Sequence, residues 1–286
     1  MSDPKDKICL ITGANSGIGR AIALDMARRD STVVLVCRDL QKGTKTMGEI
    51  EEKTGNAKLD LITCDLASQE AIRSLSLAYR AKYERLDVLA NNAGVYLKKR
   101  SLTQEGIEMT FGVNYIAHFL LTHLMLDLLQ NSPSARVINT TSRIGQANGS
   151  INFDDINFEK GYKGRVAYYQ SKLAIVMTTI DWTEKLAERG ITNVAVNAYC
   201  PGFVRTDIIR DNKLPRYMFK VFGFLMQSPA QGAATAIHLA YAEEVERVSG
   251  KTFSKKKTWE PSPQSRDAES RKNLWNLSEK IADIHF

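Results

Sequence analysis

The 286-residue chain has only four cysteines, Cys9, Cys37, Cys64 and Cys200, and none forms a CxxC pair. That scarcity argues against a disulfide framework and for buried thiols in a reducing compartment. The four histidines, His118, His123, His238 and His285, do not group with cysteines or acids at ligand spacing, so a metal centre is not expected. No apolar run reaches the ~18 residues that a membrane span requires, and no transmembrane anchor is expected. A glycine motif beginning at Thr12 leaves no room for a signal peptide before it. The chain therefore reads as cytoplasmic. There are only seven prolines, no internal repeat and no Pro/Gly/Ser-rich linker, so residues 1–286 read as a single domain.

The composition that remains is 43% hydrophobic and 25% charged, ordinary for a globular protein with a well-buried core. The net charge of +7 is dispersed except at Lys98–Arg100 and Lys255–Lys257, with no aromatic platform interleaved. This describes a solvated basic surface, part of which can attract a phosphate-bearing cofactor, and no nucleic-acid partner is expected.

Apolar runs at Lys7–Thr12, Thr32–Cys37, Lys58–Cys64, Leu86–Ala90, Arg136–Thr141 and Thr192–Ala198 are rich in Val, Ile and Leu with little polar alternation. Such runs predict strands covered on both faces. Segments of helical length separate them. Ile18, Ala21, Ile22 and Met26 form one apolar face, Ser68 opens another helix, Thr110–Leu129 predicts one long helix and Arg165–Leu186 a further one. The alternation implies right-handed βαβ crossovers and an α/β fold: a doubly wound, Rossmann-type parallel sheet with helices on both faces. Trp259–Asp267 reads as a loop before a C-terminal helical tail at about Ala268–Ile284.

Directly after the first strand runs Thr12-Gly13-Ala14-Asn15-Ser16-Gly17-Ile18-Gly19. Gly13 permits a tight turn, Gly17 a close approach of backbone to a pyrophosphate, and Gly19 close helix–strand packing. The helix that follows offers free N–H groups and a partial positive charge to phosphate. Tyr168 and Lys172, four apart on a predicted helix, share one face. A nearby ammonium is expected to stabilise the phenolate of Tyr168 and lower its pKa, fitting it for proton exchange with a carbonyl or alcohol oxygen.

The GxxxGxG turn resembles the cofactor turn of the short-chain dehydrogenase/reductase family, and further matches follow in order. These are Asp65 with Leu66 after the third strand, Asn91-Asn92-Ala93-Gly94 after the fourth, Asn114, Ser142, Tyr168-x-x-x-Lys172, and Pro201-Gly202 with Val204 and Thr206 beyond. The resemblance implies cofactor contacts from Gly13, Asn15, Ser16, Gly17, Ile18, Gly19, Asp65 at the adenine, Leu66, Asn91, Ala93, Gly94, Tyr168, Lys172, Pro201, Gly202, Val204 and Thr206. It implies a catalytic set of Tyr168, Lys172, Ser142 and Asn114. In that set Ser142 holds the substrate oxygen, Lys172 also binds the nicotinamide ribose, and Asn114 positions a water.

The residues at the end of the second strand choose the cofactor. An acid there would accept a ribose 2′-hydroxyl, whereas this chain has Cys37 and Arg38, and arginine suits a 2′-phosphate. NADP is therefore expected, against the alternative of an Arg38 side chain paired with Asp39. Ser142 and Tyr168 are 26 positions apart, with an extra segment at Ile151–Phe158. This insertion, Cys37-Arg38-Asp39 and Ser249-Gly250-Lys251-Thr252-Phe253-Ser254 resemble the retinol dehydrogenase-like branch, although the N-terminal membrane anchor of several of its members is not expected here.

Residues 203–227 read as the variable substrate loop, with Phe203, Leu214, Tyr217, Met218, Phe219, Val221, Phe222, Phe224, Leu225 and Met226. An apolar lid over a lipophilic aldehyde or ketone (retinal-like or other) that touches a membrane surface peripherally, and an amphipathic helix on the core or in a homodimer, both fit this pattern. The resemblance implies an NADP-dependent oxidoreductase acting on a small carbonyl or alcohol substrate. A non-catalytic NADP-binding sensor or scaffold is the alternative.

Overall fold

The computed structural model describes residues 7–204 and 227–286. Among them, strands β1 (Ile8–Thr12), β2 (Thr32–Cys37), β3 (Leu59–Thr63), β4 (Val88–Asn91), β5 (Ala135–Thr140), β6 (Val194–Cys200), β7 (Thr252–Ser254) and β8 (Lys257–Thr258) form one sheet. Their order is β3-β2-β1-β4-β5-β6-β7-β8, and all neighbours are parallel except β7 and β8. The six apolar runs are the first six strands, with ends shifted by up to two residues. β7 and β8 are too short to show a run of their own, and a tight turn through Lys255 and Lys256, both at positive φ, joins them.

Successive strand residues face opposite sides of the sheet. Cys9, Ile11, Val33 and Leu35 pack with Ile22 and Met26 of α1 (Gly17–Arg28) and Ile50 of α2 (Leu40–Thr54). Ala236 and Leu239 of the helix at Pro229–Tyr241 complete that layer. Leu10, Val34, Val36 and Val137 face the other layer, α3 (Gln69–Arg80) and the helices that follow it.

The predicted helix Thr110–Leu129 is broken into α4 (Met109–Phe111), a π-helical turn (Gly112–Ile116), α5 (Ala117–Leu124) and α6 (Leu126–Gln130). A fully buried Glu108 starts it, its carboxylate accepting the Thr110 and Phe111 N–H groups at 2.9 and 2.8 Å. The wide turn carries Asn114, whose amide bonds outward to the chain after β4 in place of a smooth helical face.

After β5 come α7 (Arg143–Asn148) and the 25-residue α8 (Gly164–Glu188). The Pro229–Tyr241 helix is α9, the Trp259–Asp267 stretch contains α10 (Pro263–Arg266), and the tail is α11 (Ala268–Ala282). The tail docks: Trp275 meets Phe119, Trp182 and Phe286 at ring separations of 5.0–5.7 Å. Arg271 donates to Asp181 at 2.8 Å and to Glu184 at 2.9 Å on α8. Helix α8 is thereby held between sheet and tail.

Candidate active site

The strand order reverses between β1 and β4, and in such sheets ligands bind in the crevice outside the carboxyl ends of the strands at that point. The glycine turn lies there. Gly13 and Gly17 have φ of +66° and +52°, a region costly for side chains with a Cβ. A Cβ on Gly19 would fall within contact distance of the Gly13 carbonyl oxygen and 2.6 Å from Asn92 Nδ2, so glycine is required there. Ser16 caps α1 in an extended conformation without a side-chain capping bond, which leaves the helix's first N–H groups available. The Asn15 carbonyl accepts the Thr46 hydroxyl at 3.3 Å, and Ile18 is buried in the α1–α9 layer.

Around this turn stand the other expected cofactor residues. Arg38 leaves β2 exposed and makes no ion pair among the described residues. Asp39 does not pair with it: its carboxylate caps α2 by accepting the Lys42 N–H at 3.0 Å and pairs with Lys42 Nζ at 3.1 Å. Asp65 uses one oxygen to accept the Ala67 N–H at 3.1 Å, and Leu66 beside it is half-buried. Asn91 is fully buried, donating to Thr122 and Asn139 while its own Oδ1 has no partner. The N–H groups of Asn92 and Ala93 both donate to the Thr12 hydroxyl, at 2.9 and 3.0 Å. Gly94 faces Asn114 and Lys172: a Cβ there would lie 3.2 Å from Asn114 Oδ1 and 3.8 Å from Lys172 Nζ. Gly202 (φ +80°) and Val204 follow Pro201 at the end of β6, where Val204 bridges to Gln227. Thr206 and residues 205–226 of the expected substrate loop lie outside the described residues. This cradle of positive-φ glycines, an open helix start and an arginine without an ion pair among the described residues fits a phosphorylated dinucleotide.

The expected catalytic residues come together at the same edge. Ser142 lies two residues beyond β5 as the N-cap of α7 and makes no side-chain capping bond, which leaves its hydroxyl for the site. Its hydroxyl acts on the Tyr168 phenol to lower the phenol's pKa. Asn114 is locked, with Oδ1 accepting the Val95 N–H at 2.7 Å and Nδ2 donating to the Val95 carbonyl and to Ser171 Oγ at 3.1 and 3.0 Å.

Lys172 is almost completely buried, and its Nζ donates to the Thr140 carbonyl at 2.8 Å while lying 5.7 Å from the Tyr168 ring centroid. The expectation of an acidic phenol is not met within the chain's own groups. Burial, with a further contribution from the Cys200 thiol, pushes Tyr168 up to about 12. Burial also pulls Lys172 down to about 8. Desolvation dominates both shifts, and the Lys172 ammonium is directed to the Thr140 carbonyl.

Three neighbours went unread in the sequence. The Tyr96 ring meets that of Tyr168 edge-on at 5.7 Å, and Cys200 at the end of β6 contributes to raising the phenol's pKa and accepts the Arg143 N–H at 3.4 Å. His118 sits one turn beyond Asn114. No spacing rule flags these residues, because their role comes from strand ends that meet only in three dimensions. Beyond Cys200 opens a cavity of about 360 Å³ lined by Pro201, Gly202, Gln227, Gln231, Thr235 and Lys255.

The extra segment is pinned beside Tyr168. Gln170 accepts the Asn152 N–H at 2.9 Å and donates to the Ile156 carbonyl at 3.2 Å.

Comparison with known proteins agrees with this geometry. The family model described as short chain dehydrogenase matches residues 7–215. Retinol dehydrogenase 13 of Mus musculus is 39% identical over 285 residues, covering 97% of this chain and 84% of that protein. Retinol dehydrogenase 12 of Bos taurus is 38% identical over 281 residues, covering 98% and 87%. Among solved structures, an uncharacterised protein from Mycobacterium paratuberculosis superposes with a TM-score of 0.79 at 27% identity, covering 98% of this chain and 94% of that one. The NADP active-site complex of RhlG from Pseudomonas aeruginosa superposes with a TM-score of 0.70 at 25% identity, covering 88% and 97%.

Proposed function

The chain belongs to the short-chain dehydrogenase family, in its retinol dehydrogenase-like branch, and from that premise we propose that this oxidoreductase transfers hydride between NADP(H) and a lipophilic aldehyde or ketone, or the corresponding alcohol. The observation that carries the reading is the gathering of Ser142, Tyr168, Lys172 and Asn114 at the sheet edge beside the glycine turn.

Gly13, Asn15, Ser16, Gly17, Ile18 and Gly19 hold the pyrophosphate side of the dinucleotide, with Asp65, Leu66, Asn91, Ala93 and Gly94 along its length. Pro201, Gly202, Val204 and Thr206 flank its nicotinamide end. Arg38, free of any ion pair among the described residues, takes the 2′-phosphate, which favours NADP over NAD. When bound, the nicotinamide supplies or accepts the hydride.

The chain's own groups handle the proton. Ser142 orients the substrate oxygen, and Tyr168 gives that oxygen a proton or takes one from it. With its pKa raised to about 12, the phenol carries its proton at neutral pH and can give it to a carbonyl oxygen. Lys172 contributes positive charge beside the ring, and Asn114 keeps the adjoining wall in register. The free, buried cysteines suit a cytoplasmic setting. Among the described residues no helix is long and apolar enough to cross a membrane.

The test is turnover of NADPH with a panel of aldehydes and ketones by the wild type and Tyr168→Phe. Loss of roughly a thousandfold in a folded Tyr168→Phe protein is expected for removal of the proton donor. Full activity in that variant, or NADPH binding without turnover of any substrate by the wild type, overturns the reading.

A further inference from the structure

His118 is 5% exposed and lies between the glycine turn and the helix that carries Asn114. Its Nδ1 is 3.0 Å from the main-chain oxygen of Asn114, and its Nε2 is 3.3 Å from Thr12 Oγ1. A carbonyl oxygen only accepts, so the proton of a neutral imidazole must sit on Nδ1. Nε2 is then an acceptor, and the hydrogen bond to it must come from the Thr12 hydroxyl.

Thr12 supports that assignment. Its oxygen already accepts two N–H groups, from Asn92 and Ala93, which leaves it to act as a donor. The proton it donates is shared between Nε2 and the Ala90 carbonyl, 3.4 Å away. Burial and the neighbouring Lys172 charge pull His118 down to about 3, so it stays neutral at every working pH.

We infer that His118 is a positioning residue, a neutral Nδ1–H imidazole whose two arms lock the dinucleotide turn at Thr12 to the catalytic wall at Asn114. The inference rests on the oxidoreductase reading of this site. Through Thr12 one arm holds the loop Asn92–Gly94 against the end of β1. Through the Asn114 carbonyl the other sets the π-helical turn whose amide binds Val95 and Ser171, the residue before Lys172. The histidine touches neither reacting atoms nor cofactor, and acts only by fixing the distance between the two halves of the site.

Two conservative substitutions separate the arms, because an asparagine amide reproduces the Nδ1 donor and a glutamine amide reaches the Nε2 position. His118→Asn is expected to weaken NADPH binding about tenfold, read by fluorescence titration, with kcat within about twofold. His118→Gln is expected to lower kcat about tenfold while NADPH affinity stays within about twofold. Imidazole nitrogen NMR of the wild type is expected to show the neutral Nδ1–H form from about pH 5 to 8.

Equal changes in both parameters for both variants, or none, would mean that the ring only fills space and overturn the inference. An Nε2–H or charged ring in the wild type overturns it too, even where neither variant folds. Wild-type turnover that is lost in Tyr168→Phe, together with unsplit His118 variants, would reject this inference and leave the oxidoreductase reading standing.

Discussion

The ammonium of Lys172 donates to the main-chain oxygen of Thr140 across 2.8 Å, from a side chain only 4% exposed. A buried cation held by one carbonyl is a strained arrangement, and burial lowers its pKa from 10.5 to about 8. A buried, perturbed cation of this kind in a cleft marks a candidate functional residue.

The arrangement has a pH signature. A base whose folded pKa lies below its unfolded value binds fewer protons when folded, so stability rises with pH between the two values. Relative to Lys172→Met, the wild type is expected to gain on the order of 3 kcal/mol as pH rises from about 8 to 10.5. Urea unfolding of both proteins at several pH values checks this difference, which also cancels the opposing titration of buried cysteines. Parallel curves would show that the ammonium is not desolvated.

Arg38 is expected to distinguish the two dinucleotides. Replacing it with Asp removes a donor pair for phosphate and adds repulsion, so NADPH affinity should drop about 100-fold while NADH binds as well or better. Titration of both cofactors decides it. Equal losses for the two would remove the 2′-phosphate from Arg38.

Gly19→Ala tests the glycine turn itself. The added methyl meets the Gly13 carbonyl and the Asn92 amide, both fixed by the turn, so about 1–3 kcal/mol of stability should be lost. Addition of NADPH should no longer raise its Tm, although it does so for the wild type. A normal NADPH-dependent rise would show that the turn accommodates a side chain.

The tail's clamp on α8 provides a prediction remote from the site. Burial pushes Asp181 up to about 6 even with Arg271 drawing it down. Arg271→Met leaves that carboxyl without its partner and should cost about 3 kcal/mol at neutral pH. The acid's folded pKa lies above its unfolded value, so its contribution to stability declines as pH rises through that window, and the defect should be greater at pH 8 than at pH 5. Thermal unfolding followed by Trp275 fluorescence measures it, and Asp181→Asn in the same protein should restore most of the loss. A defect independent of pH would contradict the buried-pair account.

Much of the architecture could be read from local pattern. Doubly covered strands announce themselves as unbroken apolar runs, and Gly13 and Gly17 stand at positive φ while Gly19 has no room for a Cβ, so both signals lie within a few consecutive residues. Tyr168 and Lys172 were legible for the same reason, one turn apart on α8.

By itself, then, the sequence determined the α/β order, the glycine turn and the placing of Tyr168 and Lys172 one helical turn apart. Tertiary structure alone decided their chemistry. Half-burial of Tyr168 beside a buried Lys172, whose ammonium lies against Thr140, reversed the expected pKa shift of the phenol. Tertiary packing also broke the Thr110–Leu129 helix at the π turn and placed His118 between Thr12 and Asn114, 106 residues apart from the first and four from the second. Burial and long-range hydrogen bonding set these properties, and neither leaves a periodic trace along the chain.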